Sequence, residues 1–146
     1  MKKTCILFII VIFFLLSAFF LLKNRTEVDL TKVSFSGKST YWVEIADTPQ
    51  KAEIGLMWRK NMPQNQGMLF IFPYPHIIKM WMKNTYIPLD MIFLNAQRQV
   101  ICLRENARPL DESIISCPYP AKMVLELNAG EIKTNNIQLG DYLLSP

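Results

Sequence analysis

A single histidine, His76, is all that 146 residues offer toward imidazole chemistry, and it sits in the turn-rich stretch PYPHII. The three cysteines, Cys5, Cys102 and Cys117, show no C-x-x-C spacing. A zinc site would have to draw nearly every ligand from carboxylates, so no metal site is expected. No motif places His76 beside a serine or cysteine nucleophile, which sets hydrolase chemistry of that kind aside. With five glycines in the whole chain there is no glycine-rich loop to cradle a phosphate. Nothing in the sequence asks for a cofactor. Charge is scarce as well: the net +4 falls by 3, to +1, once residues 1–32 are removed, taking Lys2, Lys3, Lys23, Arg25 and Lys32 with Glu27 and Asp29. A nucleic-acid partner is therefore not expected.

What the sequence has in excess is hydrophobic residues, 51% of the chain, and they are unevenly placed. Cys5 to Leu22 is an apolar block interrupted only by Ser17, flanked by Lys2 and Lys3 on one side and Lys23 and Arg25 on the other. At ~1.5 Å per residue it reaches about 27 Å, enough to cross the ~30 Å hydrocarbon core of a bilayer. A cleaved signal peptide would have a shorter apolar region ending in a small-x-small site. Here the block runs Phe19-Phe20-Leu21-Leu22-Lys23 instead. The reading is an uncleaved transmembrane signal anchor over residues 1–22, partnering the cytoplasmic membrane through residues 5–22, with the rest of the chain outside the cytoplasm on the periplasmic side. Residues 23–39 read as a linker leading into a first edge segment, and residues 40–146 as one domain.

Within that domain Thr40 to Ala46 alternates as a strand, and Asp47-Thr48-Pro49 offers a helix cap with proline at the first helical position. Ile54, Met57 and Trp58 then fall at helical spacing and should bury one face, with Gly55 marking close packing. From Gly67 onward the pattern becomes short β-like runs over 67–72, 77–83, 89–95, 99–104 and 121–128, separated by Pro, Gly and Asn turns. One short helix among several short strands predicts a mainly β sandwich or barrel.

The chemistry-bearing residues concentrate in KMWMKNTYIPLDMIFLN, residues 79–95. Strand alternation would put Met80 and Met82 on one face and Lys79, Trp81 and Lys83 on the other, giving either a solvated face or an aromatic and cationic ligand platform. Asn84 and Thr85 follow in a turn, where bonding to their own backbone accounts for them without a ligand. Asp90 lies in an apolar run, Leu89 to Leu94, and Glu126 lies in another, MVLEL. A carboxylate in such surroundings is paired, hydrogen-bonded or protonated. Asp90, Glu126 and Lys83 are the candidate catalytic residues. Arg59, Trp81, Lys83, Asn84, Thr85 and Asp90 are the candidate ligand-binding set, with purely structural ion pairing the plainer account of the carboxylates. Cys102 and Cys117 read equally as a disulfide outside the cytoplasm or as two small buried hydrophobes. Thioethers near Trp81 and His76 could bind Cu(I), although core filling explains the eight methionines more simply.

Taken together, VEIADTPQKAEIGLMWR (43–59), GMLFIFP (67–73), WMKNTYIPLDMIFL (81–94), MVLELNAG (123–130) and LGD (139–141) resemble, in order, the bacterial and archaeal family called domain of unknown function 192. The resemblance implies a compact antiparallel sandwich of jelly-roll type with one short helix, and no established activity, cofactor or substrate. It places the family's polar signature on Arg59, Lys83, Asn84, Thr85, Asp90, Glu126 and Asp141, beside Trp81 and Met82. Met80 departs from the Phe that members often carry before the Trp. Members commonly carry an amino-terminal export or anchor segment. The leading functional expectation is a membrane-anchored domain binding a small polar ligand or an envelope protein. The alternative is a hydrolase- or transferase-like enzyme using Asp90 or Glu126 with Lys83, and the third is a structural envelope protein without a ligand.

Overall fold

The computed structural model describes residues 29–144, so the expected membrane anchor lies outside the described residues. Among the described residues no helix is long and apolar enough to cross a membrane. The elements run β1 (Leu30–Phe35), β2 (Thr40–Ala46), α1 (Pro49–Ile54), β3 (Gln66–His76), β4 (Lys79–Met80), β5 (Leu89–Leu94), β6 (Val100–Ala107), β7 (Ile115–Ser116), β8 (Ala121–Asn128), α2 (Glu131–Thr134) and β9 (Leu143–Leu144). The fold is mainly β, as the turn-punctuated runs predict. The linker expected over 23–39 is corrected from Leu30 onward: Leu30–Phe35 is a full strand, its Val33 and Phe35 buried, paired antiparallel with β2. The mixed polarity of LTKVSF, half solvated, hid it.

The expected jelly-roll sandwich of two antiparallel sheets is also corrected. Seven strands form one sheet in the order β6-β5-β8-β3-β2-β1-β9, and β4 with β7 makes a separate two-stranded ribbon. The pairing of β2 with β3 is parallel. Parallel neighbours need a crossover between them, and α1 with the loop after it supplies that crossover. The sheet then curls until its edges meet: Gln99 bridges Tyr142, the Val100 amide donates to the Asp141 carbonyl at 2.8 Å and the Leu143 amide to the Arg98 carbonyl at 2.9 Å.

Curling gives the sheet an inner and an outer face, each with its own core. Val33, Phe35, Val43, Leu69, Ile92, Leu125 and Leu127 pack inside, together with Ile132 of α2. Ala46, Met68, Phe70, Met91, Phe93 and Val124 pack outside, beneath Leu56, Ile78, Met82 and Cys117 from the covering loops and ribbon. Strands buried on both faces read as unbroken apolar runs, which is why every residue of LDMIFL in β5 is buried.

The helix start is as the sequence dictates. Thr48 accepts the Lys51 amide and Pro49 opens α1. Its end is not. The helix stops at Gly55, whose φ of +50° turns the chain, so Ile54 and Trp58 point to solvent and Leu56 alone is fully buried. Gly55 also sits against Phe70, where a Cβ would lie 3.1 Å from Cζ, so the close packing expected at this glycine is there. The ribbon replaces most of the strand expected over 77–83, leaving Trp81 to Lys83 in a loop.

Cys102 of β6 and Cys117 after β7 form a disulfide with a Cα–Cα separation of 5.9 Å, tying the sheet to the ribbon across 15 residues. Closing such a loop stabilises by ~3 kcal/mol in the chain-entropy view. Reduction, or the Cys102→Ser/Cys117→Ser double variant, is expected to lower the melting temperature by about ten degrees or somewhat more. Scanning calorimetry with and without reductant measures this, and an unchanged transition would mean the bridge does not form.

Candidate functional site

Two loops make the lips of a cleft on the outer face. One is the segment after α1, and the other is the 81–85 turn, where Asn84 adopts a φ of +53°. They are laced together. The Trp58 amide donates to the Asn84 carbonyl at 2.7 Å, and the Asn84 side chain reaches toward the Met57 sulfur at 4.0 Å. The turn is anchored beneath by the Met82 amide on the Asp111 carbonyl at 2.9 Å and the Leu110 amide on the Thr85 carbonyl at 3.1 Å. Thr85 Oγ1 donates to the Lys83 carbonyl at 3.2 Å, the local bonding the sequence suggested.

Between the lips is a space of about 210 Å³ bordered by Met57, Phe72, Lys79, Trp81, Lys83 and Glu126, among others. Glu126 reaches it from β8. It belongs to a cross-sheet row in which β2, β3, β8, β5 and β6 contribute Glu44, Met68, Glu126, Met91 and Arg104 in register. Both immediate neighbours of Glu126 in the row are thus methionines. The residue is 4% exposed, and among the described residues its carboxyl has neither a hydrogen-bond partner nor an ion-pair partner. Burial alone pushes its pKa from 4.5 up to about 8. At neutral pH this side chain is mostly the uncharged acid.

Asp90, one strand away, has the opposite circumstance. Alternation along β5 turns it to the inner face, where it is fully buried. Its Oδ1 accepts the Asn106 amide and its Oδ2 accepts the Ile132 amide, each at 2.9 Å. The first amide sits at a break in the β5–β6 register and the second at the start of α2, so neither finds a partner in regular pairing. Nearby, Tyr41 donates to Glu131 at 2.9 Å, and burial followed by that hydrogen bond pushes the phenol up. Asp90 thus holds structure and does not border the cleft.

The remaining candidates divide. Trp81 is 44% exposed, and Lys83 Nζ stands 5.4 Å from its ring centroid. Lys83 and Thr85 border the cleft with Trp81 and Glu126, while Asn84 shapes it through its backbone. Arg59 faces an adjoining hollow of about 290 Å³, where it forms a two-pronged ion pair with Glu44, with Nη2 at 2.7 Å from Oε2. That pairing raises the guanidinium pKa further. Asp141 pairs with Lys38 and accepts the Gln138 amide at 2.6 Å far from the cleft. Burial works against its ionisation there, yet those bonds leave it below the usual carboxylate range. His76 packs edge-on against Phe72, with 5.1 Å between ring centroids. Among the described residues no cluster of three or more His, Cys, Asp or Glu side chains could hold a metal ion. Lys79 borders the cleft with Trp81 and Lys83, the platform that alternation suggested, whereas sequence reasoning passed over Phe72 and Met57, because only the β2–β3 crossover brings α1 over that part of the sheet.

Two variants separate these roles. An acid whose folded pKa lies above its unfolded value binds its proton more tightly in the folded state, so it adds stability at low pH and loses it as pH climbs from 4.5 to about 8. Glu126→Gln is expected to match the native chain near pH 5 and to exceed it near pH 8 by on the order of 3 kcal/mol, read by denaturant midpoints at both values. Asp90→Asn leaves a backbone amide facing an NH2 group, and is expected to cost about 2 to 3 kcal/mol at any neutral pH. A stable Asp90→Asn variant would refute the structural role.

Comparison with known proteins follows the same lines. No curated protein matches the chain. A crystal structure from Sinorhizobium meliloti 1021, described as a candidate transcription regulator, is 38% identical, with 84% of this chain and 98% of that one covered and a TM-score of 0.78. A protein of unknown function from Novosphingobium aromaticivorans DSM 12444 is 32% identical, with coverage of 83% and 89% and a TM-score of 0.78. The family described as an uncharacterized ACR, domain of unknown function 192, matches residues 31–144, and the chain belongs to that family.

Proposed function

We propose that this protein is a membrane-tethered binding domain, held outside the cytoplasm, that takes a small polar ligand into the cleft over Glu126. The observation that carries this reading is the Glu126 carboxyl, nearly buried and, among the described residues, without a partner, where no fully enclosed side-chain nitrogen or oxygen of those residues lacks one. Leaving a carboxyl unbonded costs stability, and a ligand that bonds it recovers that cost. An exposed indole with convergent polar groups on a rigid sheet is a common construction for such sites. The apolar block at Cys5 to Leu22 supports the tether, and the Cys102–Cys117 disulfide suits an oxidising compartment.

The enzyme reading keeps one observation in its favour, the displaced pKa of Glu126, which suits a general acid near neutral pH. Asp90 drops out of that reading because both its oxygens are occupied by backbone amides.

The test is a thermal-shift panel on the full chain in detergent, spanning sugars, nucleotides, phosphates, peptides, lipid head groups and metals including Cu(I). A ligand at about 100 times its dissociation constant adds ~2.7 kcal/mol, a shift of several degrees. That shift is expected to vanish in Trp81→Ala and Lys83→Ala. A compound consumed by the native chain and untouched by Glu126→Gln would make the protein an enzyme. A flat panel would overturn small-ligand binding and leave an envelope protein as the partner.

A further inference from the structure

The charges around the cleft select the sign of its occupant. Lys79 and Lys83 both border it, and among the described residues neither forms an ion pair. Glu53 supplies the one carboxylate at its rim. Element by element, the groups facing Glu126 are Glu53 from α1, Lys79 from β4 and Lys83 from the following loop. At the ends of its cross-sheet row stand Glu44, neutralised by Arg59, and Arg104, each two strands or about 10 Å away. Along β8 the next titratable residue on that face is Lys122, beyond Val124, and it is committed to the Pro73 carbonyl at 2.6 Å. The adjoining strands β3 and β5 present Met68, Phe70, Phe72, Met91 and Phe93 beside it, and farther along β3 His76 packs edge-on against Phe72. With Glu126 uncharged, two ammonium groups outweigh one carboxylate at the opening, a field that draws anions and repels cations.

The protonated acid is also a donor without an acceptor. A carboxylic acid kept neutral by its surroundings can donate a short hydrogen bond to an oxyanion, the strong charge-assisted kind. The apolar border of Met57, Phe72 and Met80 and the exposed Trp81 ring suit a flat hydrophobic body.

We propose that the cleft takes a small organic oxyanion, a carboxylate or a phosphate ester with an apolar body. The body lies against Trp81 and Phe72, while the oxygens accept hydrogen bonds from Lys79 or Lys83 and from Glu126. This rests on the cleft being a binding site at all. It adds the class of ligand and a coupling: the ligand binds the form of the protein that carries the Glu126 proton, and so loses affinity as that proton leaves.

The full chain, labelled with 5-fluorotryptophan and held in detergent micelles, is titrated by fluorine NMR. The probes are benzoate, phenyl phosphate, benzyl alcohol and benzylamine, which share one ring and differ in charge. Trp81→Phe assigns the Trp81 resonance among the three tryptophans. Benzoate or phenyl phosphate is expected to move that resonance, with the alcohol weaker and the amine inactive. The dissociation constant should rise about tenfold between roughly pH 6.5 and pH 9, as the acid near pH 8 empties. Glu126→Gln, which keeps a donor and cannot ionise, should still bind and lose the pH dependence. Lys83→Ala should weaken binding at both values. A response to one oxyanion alone identifies carboxylate or phosphate as the source. Benzylamine or benzyl alcohol binding at least as well as the anions, or anion binding as tight at pH 9 as at pH 6.5, overturns the oxyanion proposal while the cleft survives as a site. A Trp81 resonance that no probe moves overturns the binding reading itself.

Discussion

The pairing of β3 with β8 is the constraint on which this molecule depends. Gly67 stands opposite Leu127 and Met68 opposite Glu126, and the backbones approach so closely that a Cβ on Gly67 would lie 2.8 Å from Leu127 Cδ2 and against the Glu126 carbonyl. Only glycine fits there. The contact sets β8 between β3, the middle strand of the sheet, and β5, and it sets which side of β8 faces outward. A one-residue slip would carry Glu126 into the inner core and bring Leu127 into the cleft. The cleft chemistry and the barrel-like interior therefore share one register.

Much of the fold can be read in the sequence where a local rule decides it. The runs Thr40–Ala46 and Ala121–Asn128 are strands over the stretches that their alternation and turns mark, and Thr48-Pro49 starts the helix. Failures come where tertiary structure overrides the local pattern. Ile54 and Trp58 keep helical spacing across a glycine that has already ended the helix. Leu30–Phe35 looks too polar for a strand because a sheet edge solvates half of it. The parallel step between β2 and β3, which turns a sandwich into one curled sheet, leaves no periodic mark at all.

The two buried carboxylates show the same limit at the level of chemistry. Both sit in apolar runs, and the pattern treats them alike. What distinguishes them is the supply of stray backbone amides: the register break at Asn106 and the start of α2 provide two for Asp90, while the regular ladder around Glu126 provides none. Such amides arise from breaks in distant elements, so no reading of β5 or β8 alone could assign them. Trp81, Lys83 and Thr85 were legible as a group because they are adjacent in the chain. Phe72 and Met57 were not, being brought in by the crossover.

The curling of the sheet has a consequence for how this protein keeps company with its own copies. A strand at the margin of a sheet offers unpaired amides and carbonyls to any neighbouring chain. Here β9 is two residues long, the start of β6 is taken up by the 140–143 segment, and the rest of β6 carries Arg104 and Glu105 and two register breaks. Little margin is left to recruit another strand. Domains crowded side by side can therefore stay separate, their contacts made through side chains and loops and not by extending the sheet.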